Sequence, residues 1–337
     1  MPPIDFVRVD ERSKRYRKTI IAEMQPLVGK PLNADQVGKR ITELYGLGNF
    51  ETLDYTLVER PAAAGQGAAA GQSAAAGTGS DEDTGLEIHA RRKSWGPNYL
   101  RFGLNLEDDF QGNSRYNAAA RFVLTEINQL GAELLTDVQI GSNPKVFSEF
   151  YQPLTATRTW FVAPSARIEV RDLPIFVNND EVADFRDREA EADLDIGRNL
   201  GNWGEIRAGL HRTNGATRVR FGAADLVEQL YNKGEFFFKF SYDQLDNVHF
   251  PREGQTFTLQ WDANRTDLGA DVASDRVQAD WLAARSRGRN TILFWTSAGS
   301  TLDGGINPIA LPDFYSLGGF FNLSGLAPNS MIGQHYA

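Results

Sequence analysis

From Leu100 to about Trp295 the chain repeats one pattern, a two-residue alternation of apolar and polar side chains broken by turn residues. Leu100, Phe102, Leu104 and Leu106 interleave with Arg101, Gly103, Asn105 and Glu107, and Ala190, Ala192, Leu194 and Ile196 interleave with Glu189, Glu191, Asp193 and Asp195. A strand sends successive side chains to opposite faces, so every such segment has one oily and one strongly polar face. In a soluble sandwich the oily face fills a core and needs a second layer to cover it. In a membrane barrel it meets lipid while the polar face lines a wet lumen.

Composition narrows the choice. Charged residues make up 23% of 337 and the formal net charge is −9, which argues against a nucleic-acid surface. No apolar run approaches the roughly eighteen residues of a membrane helix, but a spanning strand needs only about 9–11 with every second one apolar. Cysteine is absent, which removes disulfides and thiolate metal sites. Met1-Pro2-Pro3-Ile4-Asp5 lacks the basic and then apolar stretch of a secretory signal. An outer-membrane destination therefore implies that the sequence is a piece of a longer precursor.

The first sixty residues read differently. Phe6 to Val9 is a short strand, Tyr16 to Met24 is helical, and a second helix begins after Asn33, a suitable N-cap. Val37, Ile41 and Leu44 share one face of that helix, and Gly46 and Gly48 stop it. Thr52 to Glu59 and Leu86 to Ala90 are strands, giving a β-α-α-β-β module over residues 4–95, with Phe6, Val37, Ile41, Leu44 and Leu53 in its core. Between its last two strands, residues 61–85 are mostly Ala, Gly, Gln and Ser and read as a disordered insertion. Residues 97–337 form the second domain. Eleven candidate strands follow one another through short polar turns: Tyr99–Leu106, Tyr116–Thr125, Ala132–Ile140, Lys145–Tyr151, Trp160–Val170, Glu189–Arg198, Ile206–Arg212, Glu235–Tyr242, Thr256–Ala263, Arg276–Ala284 and Thr291–Ser297. Gly299 to Ser330 is a long loop, and Met331 to Tyr336 begins a twelfth strand. Short turns permit only antiparallel neighbours.

Three stretches carry a resemblance. Phe6-Val7-Arg8-Val9, Gly29-Lys30-Pro31-Leu32 and Leu44 to Glu51 look like a polypeptide-transport-associated (POTRA) domain. Asp243, Asp246, Asn247, Pro251 and Gly254 resemble the D-x-x-D-N…P-x-x-G strand-turn-strand of BamA-like surface-antigen barrels. Gly318, Gly319, Asn322, Leu323, Ser324 and Gly325 resemble the inward-folded sixth loop of those barrels. Within that superfamily the chain is most similar to the C-terminal half of patatin-like phospholipases of the type Vd autotransporter kind. The resemblance implies a mainly β fold: a small α+β POTRA module in the periplasm, then an antiparallel transmembrane β-barrel in the bacterial outer membrane. It implies outer-membrane lipid, the barrel assembly machinery and a fused or secreted passenger as partners.

Two departures from the family stand out. Ser324 occupies the loop position where most relatives have an Arg, and a hydroxyl cannot make the bidentate contact of a guanidinium. The chain also stops at Gln334-His335-Tyr336-Ala337, after about twelve of an expected sixteen or so strands.

No Gly-x-Ser-x-Gly nucleophile elbow occurs, so no catalytic residue, cofactor or metal site is assigned to this chain. Asp303-Gly304-Gly305 mimics a motif of the patatin dyad but reads as a turn. Glu189, Glu191, Asp193 and Asp195 could be taken for a calcium cluster and read better as a lumen wall. Trp95, Tyr99, Trp160, Trp203, Trp261 and Trp281 fit an interfacial girdle, with buried core aromatics as the alternative. Four functions stay open: an outer-membrane translocator or anchor of a patatin-like autotransporter, a lipid-hydrolase parent, an assembly or secretion factor, and a soluble β adhesive protein. Deleting most of residues 61–85 should leave the melting temperature of the first module almost unchanged, because loop-closure entropy varies slowly with length. A large drop would show that the segment is structured.

Overall fold

The computed structural model describes residues 3–46, 50–61, 82–93, 98–108, 114–177, 180–222, 228–302, 311–319 and 323–337. Two compact units emerge: Met1–Asn98 with Glu126–Gly131, and Tyr99–Thr125 with Ala132–Ala337. Among the described residues no helix is long and apolar enough to cross a membrane, which says nothing about strands.

In the first unit, strands β1 (Phe6–Val9), β2 (Phe50–Pro61) and β3 (Glu82–Arg92) form a sheet of order β1-β3-β2. β1 runs parallel to β3, and β2 antiparallel. Helices α1 (Arg17–Met24) and α2 (Ala34–Gly46) lie between β1 and β2 in the chain. Asn33 caps α2, its Oδ1 accepting from the N–H groups of Asp35 (2.9 Å) and Gln36 (3.2 Å). Val37 and Leu44 from α2 meet Ile4, Ile20, Met24, Phe50, Leu86 and Ile88 in one core, with Ile41 and Leu53 packed at its edge. Each large side chain so buried is worth roughly 1.5–3 kcal/mol, so this unit has a core of its own. Phe6, expected in the core, is half-buried.

The insertion read over 61–85 is shorter than expected. Pro61 pairs with Glu82, Gly85 pairs with both Val58 and Phe6, and Asp5 N–H donates to Thr84 O at 2.7 Å. Backbone bonds from both neighbours claim Glu82 to Gly85 for β3, a tie that composition does not reveal. Residues 62–81 lie outside the described residues.

The second unit is built on a twelve-stranded sheet. Its strands are β4 (Tyr99–Asp108), β5 (Ser114–Leu124), β6 (Glu133–Gly141), β7 (Lys145–Pro153), β8 (Trp160–Val177), β9 (Asp180–Asn199) and β10 (Gly204–Phe221). β11 (Gln229–Asp243), β12 (Glu253–Asn264), β13 (Ser274–Arg287) and β14 (Asn290–Thr301) follow, each antiparallel to the one before. All eleven segments read from the alternation are strands. β8, β9 and β10 run to 18, 20 and 18 residues, well past the apolar run at Val170 and Ala190. Their upper halves carry charges on both faces, and ladder bonds rather than an oily face define them.

The expected twelfth strand divides. Met331–Gly333 (β16) pairs with Tyr315–Leu317 (β15) in a separate ribbon, and only His335–Tyr336 (β17) joins β14. β4 and β17 end the sheet, which is not closed.

The two faces differ as the alternation requires. Leu194 is 58% exposed while the Asp193 side chain is 11% exposed. Phe102, Leu104, Ile140, Ile168 and Phe236 are exposed, as are Tyr99, Trp160, Trp203, Trp261 and Trp281, so the reading of these rings as core aromatics is set aside. Trp95 lies outside the described residues. The polar face is concave. Arg207 on β10 reaches Glu149 on β7 at 2.8 Å, although strands three apart in a flat sheet are separated by about 14 Å.

Residues 243–254 form the turn joining β11 to β12. Asp243 Oδ1 accepts from Leu245 N–H at 2.9 Å, and Asn247 Oδ1 accepts from His249 and Phe250, both at 2.9 Å. Asp246 Oδ1 accepts from Arg252 (2.8 Å) and Glu253 (3.1 Å), and Pro251, with no N–H to satisfy, sits just before them. Gly254 has φ +102°, and a Cβ there would collide with the Gln244 carbonyl. The Arg252 N–H, then that of Glu253, hold the Asp246 carboxyl below the usual carboxylate range. A lowered folded value means these bonds stabilise the turn above the unfolded pKa and are lost as pH falls through the folded one. The Arg252 and Glu253 amide resonances should therefore titrate below the ordinary aspartate range, and a midpoint inside that range would contradict the assignment.

Candidate functional site: the charged wall and its loop

The concave face gathers the inward residues of β5 to β13 around one cavity of about 570 Å³. Alternation alone puts them there, because every inward position on these strands is an odd or even partner of the next in register. Burying so many charges is costly unless they are paired, and most of them here are, although Glu235 lines the cavity with no ion pair among the described residues. Arg167 binds Glu191 (2.7 Å) and Glu169 (3.1 Å), and Arg171 binds Asp187 (3.2 Å) and Glu189 (3.3 Å). Arg207 lies 3.3 Å from Asp195, and Ser165 Oγ donates to Asp193 at 2.6 Å. The four acids that could suggest a calcium cluster are thus each held by a guanidinium, an ammonium or a hydroxyl.

Tyr231 ties β11 to β9 across β10. It stands directly opposite Gly215 in register, and a Cβ at 215 would overlap its ring. With that space open the phenol crosses β10, and its hydroxyl lies 2.8 Å from both Asp187 and Glu189. Lys233, two residues along β11, lies 3.5 Å from Glu189.

Among the described residues the long loop meets this wall at Pro312 and Asp313. Asp313 accepts from Lys233 Nζ at 2.5 Å, and Arg276 Nη1 lies 3.5 Å away. The Lys233 and Asp313 side chains are 9% and 10% exposed. Nearby, Tyr315 Oη donates to Val277 O at 2.9 Å, and its ring meets that of Tyr336 with centroids 5.0 Å apart. The backbone of the loop is thereby held against β13 and β14.

The described residues of the motif singled out for this role lie elsewhere. Ser324 and Gly325 are exposed, Leu323 is 42% exposed, and Gly318 and Gly319 lie in the turn that Leu323 and Leu326 close with backbone bonds to Gly319. Asn322 and Asp303-Gly304-Gly305 lie outside the described residues. Among the described residues the contact with the wall is made by Asp313, five residues before Gly318. A lone aspartate after Leu311-Pro312 has no sequence signature. The available hint is on the wall, where Lys233 and Arg276 both face inward and call for an anion.

A buried pair is costly to break from one side, about 3–5 kcal/mol. Asp313→Ala in the full-length protein should therefore free residues 311–319, raising their cleavage rate by an added protease, and should lower resistance to denaturant. Unchanged cleavage would show that Tyr315 and the β15–β16 ribbon hold the loop without the ion pair.

No protein-family profile matches the chain, and no curated protein does. Solved structures of the same fold include BamA from Haemophilus ducreyi lacking POTRA domains 1–3, at 16% identity and a TM-score of 0.68, over 97% of this chain and 60% of that one. CdiB from Acinetobacter baumannii matches at 10% identity and 0.61, over 99% of this chain and 59% of that one. CdiB from Escherichia coli matches at 10% identity and 0.56, over 99% and 60%. The chain therefore spans about 60% of the length of these structures. At such identities the likeness is one of fold: this is the architecture of the BamA and CdiB barrels.

Proposed function

We propose that the chain is the translocator or assembly-type barrel region of a bacterial outer-membrane protein, with the second unit in the membrane and the first unit a POTRA-like module in the periplasm. The single observation that carries this is the sorting of faces. Apolar side chains stand exposed along the convex face while a largely paired set of charges lines the concave one, which suits lipid outside and water inside. The match to BamA lacking POTRA domains 1–3, over 97% of this chain, supports the POTRA reading of the β-α-α-β-β unit.

Within that class, the D-x-x-D-N…P-x-x-G turn at Asp243 to Gly254 and the module before the barrel fit the translocator or anchor of a patatin-like autotransporter, with a fused or secreted passenger and the barrel assembly machinery as partners. On this reading the chain itself is non-catalytic, and a lipid-hydrolase parent is the alternative. A Gly-x-Ser-x-Gly upstream would assign the parent as a hydrolase. Several further POTRA modules there would assign it as an assembly or secretion factor.

The membrane reading has a direct test. Full-length protein should stay with the outer-membrane fraction after alkaline extraction, and Leu194→Arg should cost roughly 2–4 kcal/mol of stability in a bilayer if that residue sits near mid-depth. Release of the wild-type protein into the soluble fraction would favour the soluble β adhesive alternative.

A further inference from the structure

The lumen network uses the inward charges of β9 and β10, but the outward ones remain unexplained. Descending β9 from its turn, the outward positions read Arg186, Arg188, Ala190, Ala192, Leu194 and Ile196; along β10 they read Ile206, Ala208, Leu210, Arg212, Asn214, Ala216 and Arg218. On both strands the first charge past the apolar run is an arginine. Arg188, Arg212 and Arg218 are exposed. They lie toward the end of the sheet from which the long loop departs after Thr301, opposite the end at which β4 begins at Tyr99.

Fixed neighbours leave this patch short of negative charge. Arg186 stands directly opposite Arg218 in register, and like charges facing each other across an antiparallel pair repel. Three acids border it: Asp172 and Asp184, both engaged by Arg220 at 2.9 Å with Arg186 3.9 Å from Asp172, and Asp271, whose carboxylate accepts from Asn232 opposite Asn214. Arg212 donates to Leu268 O at 2.9 Å, which orients it without neutralising it. Arg188 and Arg218 have no ion-pair partner among the described residues. Cross-strand diagonals of about 7–8 Å put Arg188 and Arg218 within reach of one multivalent anion.

We infer that Arg188 and Arg218, flanked by Arg186 and Arg212, bind the phosphate groups of an anionic membrane-lipid headgroup whose acyl chains lie on Ala190, Leu194 and Leu210. The proposal rests on the membrane reading above. A guanidinium fork matches phosphate geometry. A charge just past the apolar run sits at headgroup depth, where its attraction to anionic lipid is strongest. Continuity between the arginines and the apolar face selects a lipid over a free anion.

The test uses full-length protein in phosphatidylcholine bilayers doped with phosphatidylglycerol, followed by native mass spectrometry of retained lipid. Arg188→Gln with Arg218→Gln should reduce retained phosphatidylglycerol roughly tenfold or more and leave phosphatidylcholine unchanged. The charge-matched control, Arg285→Gln with Arg287→Gln on β13 at the opposite end of the sheet, should retain phosphatidylglycerol like the wild type. Equal loss in both variants, or loss in neither, overturns the site. Displacement of the lipid by inorganic phosphate alone would identify a free-anion site and overturn it too. Wild-type protein that fails to enter the bilayer at all would bring down the membrane reading itself.

Discussion

Register is the constraint on which everything else in the second unit depends. Eleven strands, β4 to β14, are joined edge to edge, and the side-chain period is two. A slip of one residue at any pairing would turn the carboxylates of β9 to the convex face and Leu194 into the cavity. The turns keep the phase. In the one between β11 and β12, three side-chain carbonyl or carboxylate oxygens accept five backbone N–H groups, so its length and shape are fixed before the next strand begins.

Given that phase, the concave face accumulates charge, and its geometry follows from pairing those charges. Curvature brings Arg207 to Glu149 across two intervening strands, and the open space above Gly215 lets Tyr231 reach β9. Such pairs add little to net stability, because desolvation offsets most of their attraction. Their effect is positional. They fix where Lys233 points, and Lys233 with Arg276 fixes where Asp313 can rest. The loop thus inherits its place from a wall assembled by residues as far back in the chain as Arg121.

The same alternation that predicts the wall fails to find the anchor. Inward and outward sets on β8 to β13 were legible because each residue's face follows from its parity. The loop has no parity: its glycines and polar residues at 318–325 look suited to a close approach, yet Gly319 bonds to Leu323 and Leu326 in a turn of its own. Asp313 is chosen because a carboxylate meets two inward cations, a relation between residues 80 and 37 positions apart. The upper halves of β8 to β10 escaped notice for a related reason. With charges on both faces they carry no hydrophobic period, and it is their neighbours' backbone groups that make them strands.

The amino-acid sequence by itself determined the class of fold, the helix and strand order of the first unit, the eleven strands of the second, and which side chains share a face. All of these follow from periods of 3.6 and 2 and from turn and cap residues, which act over a few positions. Tertiary structure alone decided the curvature of the sheet, the division of the last segment between β16 and β17, the claim of β1 and β2 on residues 82–85, and the residue that holds the loop. Those depend on which backbone edge or buried charge lies opposite, and that is known only once distant segments have met.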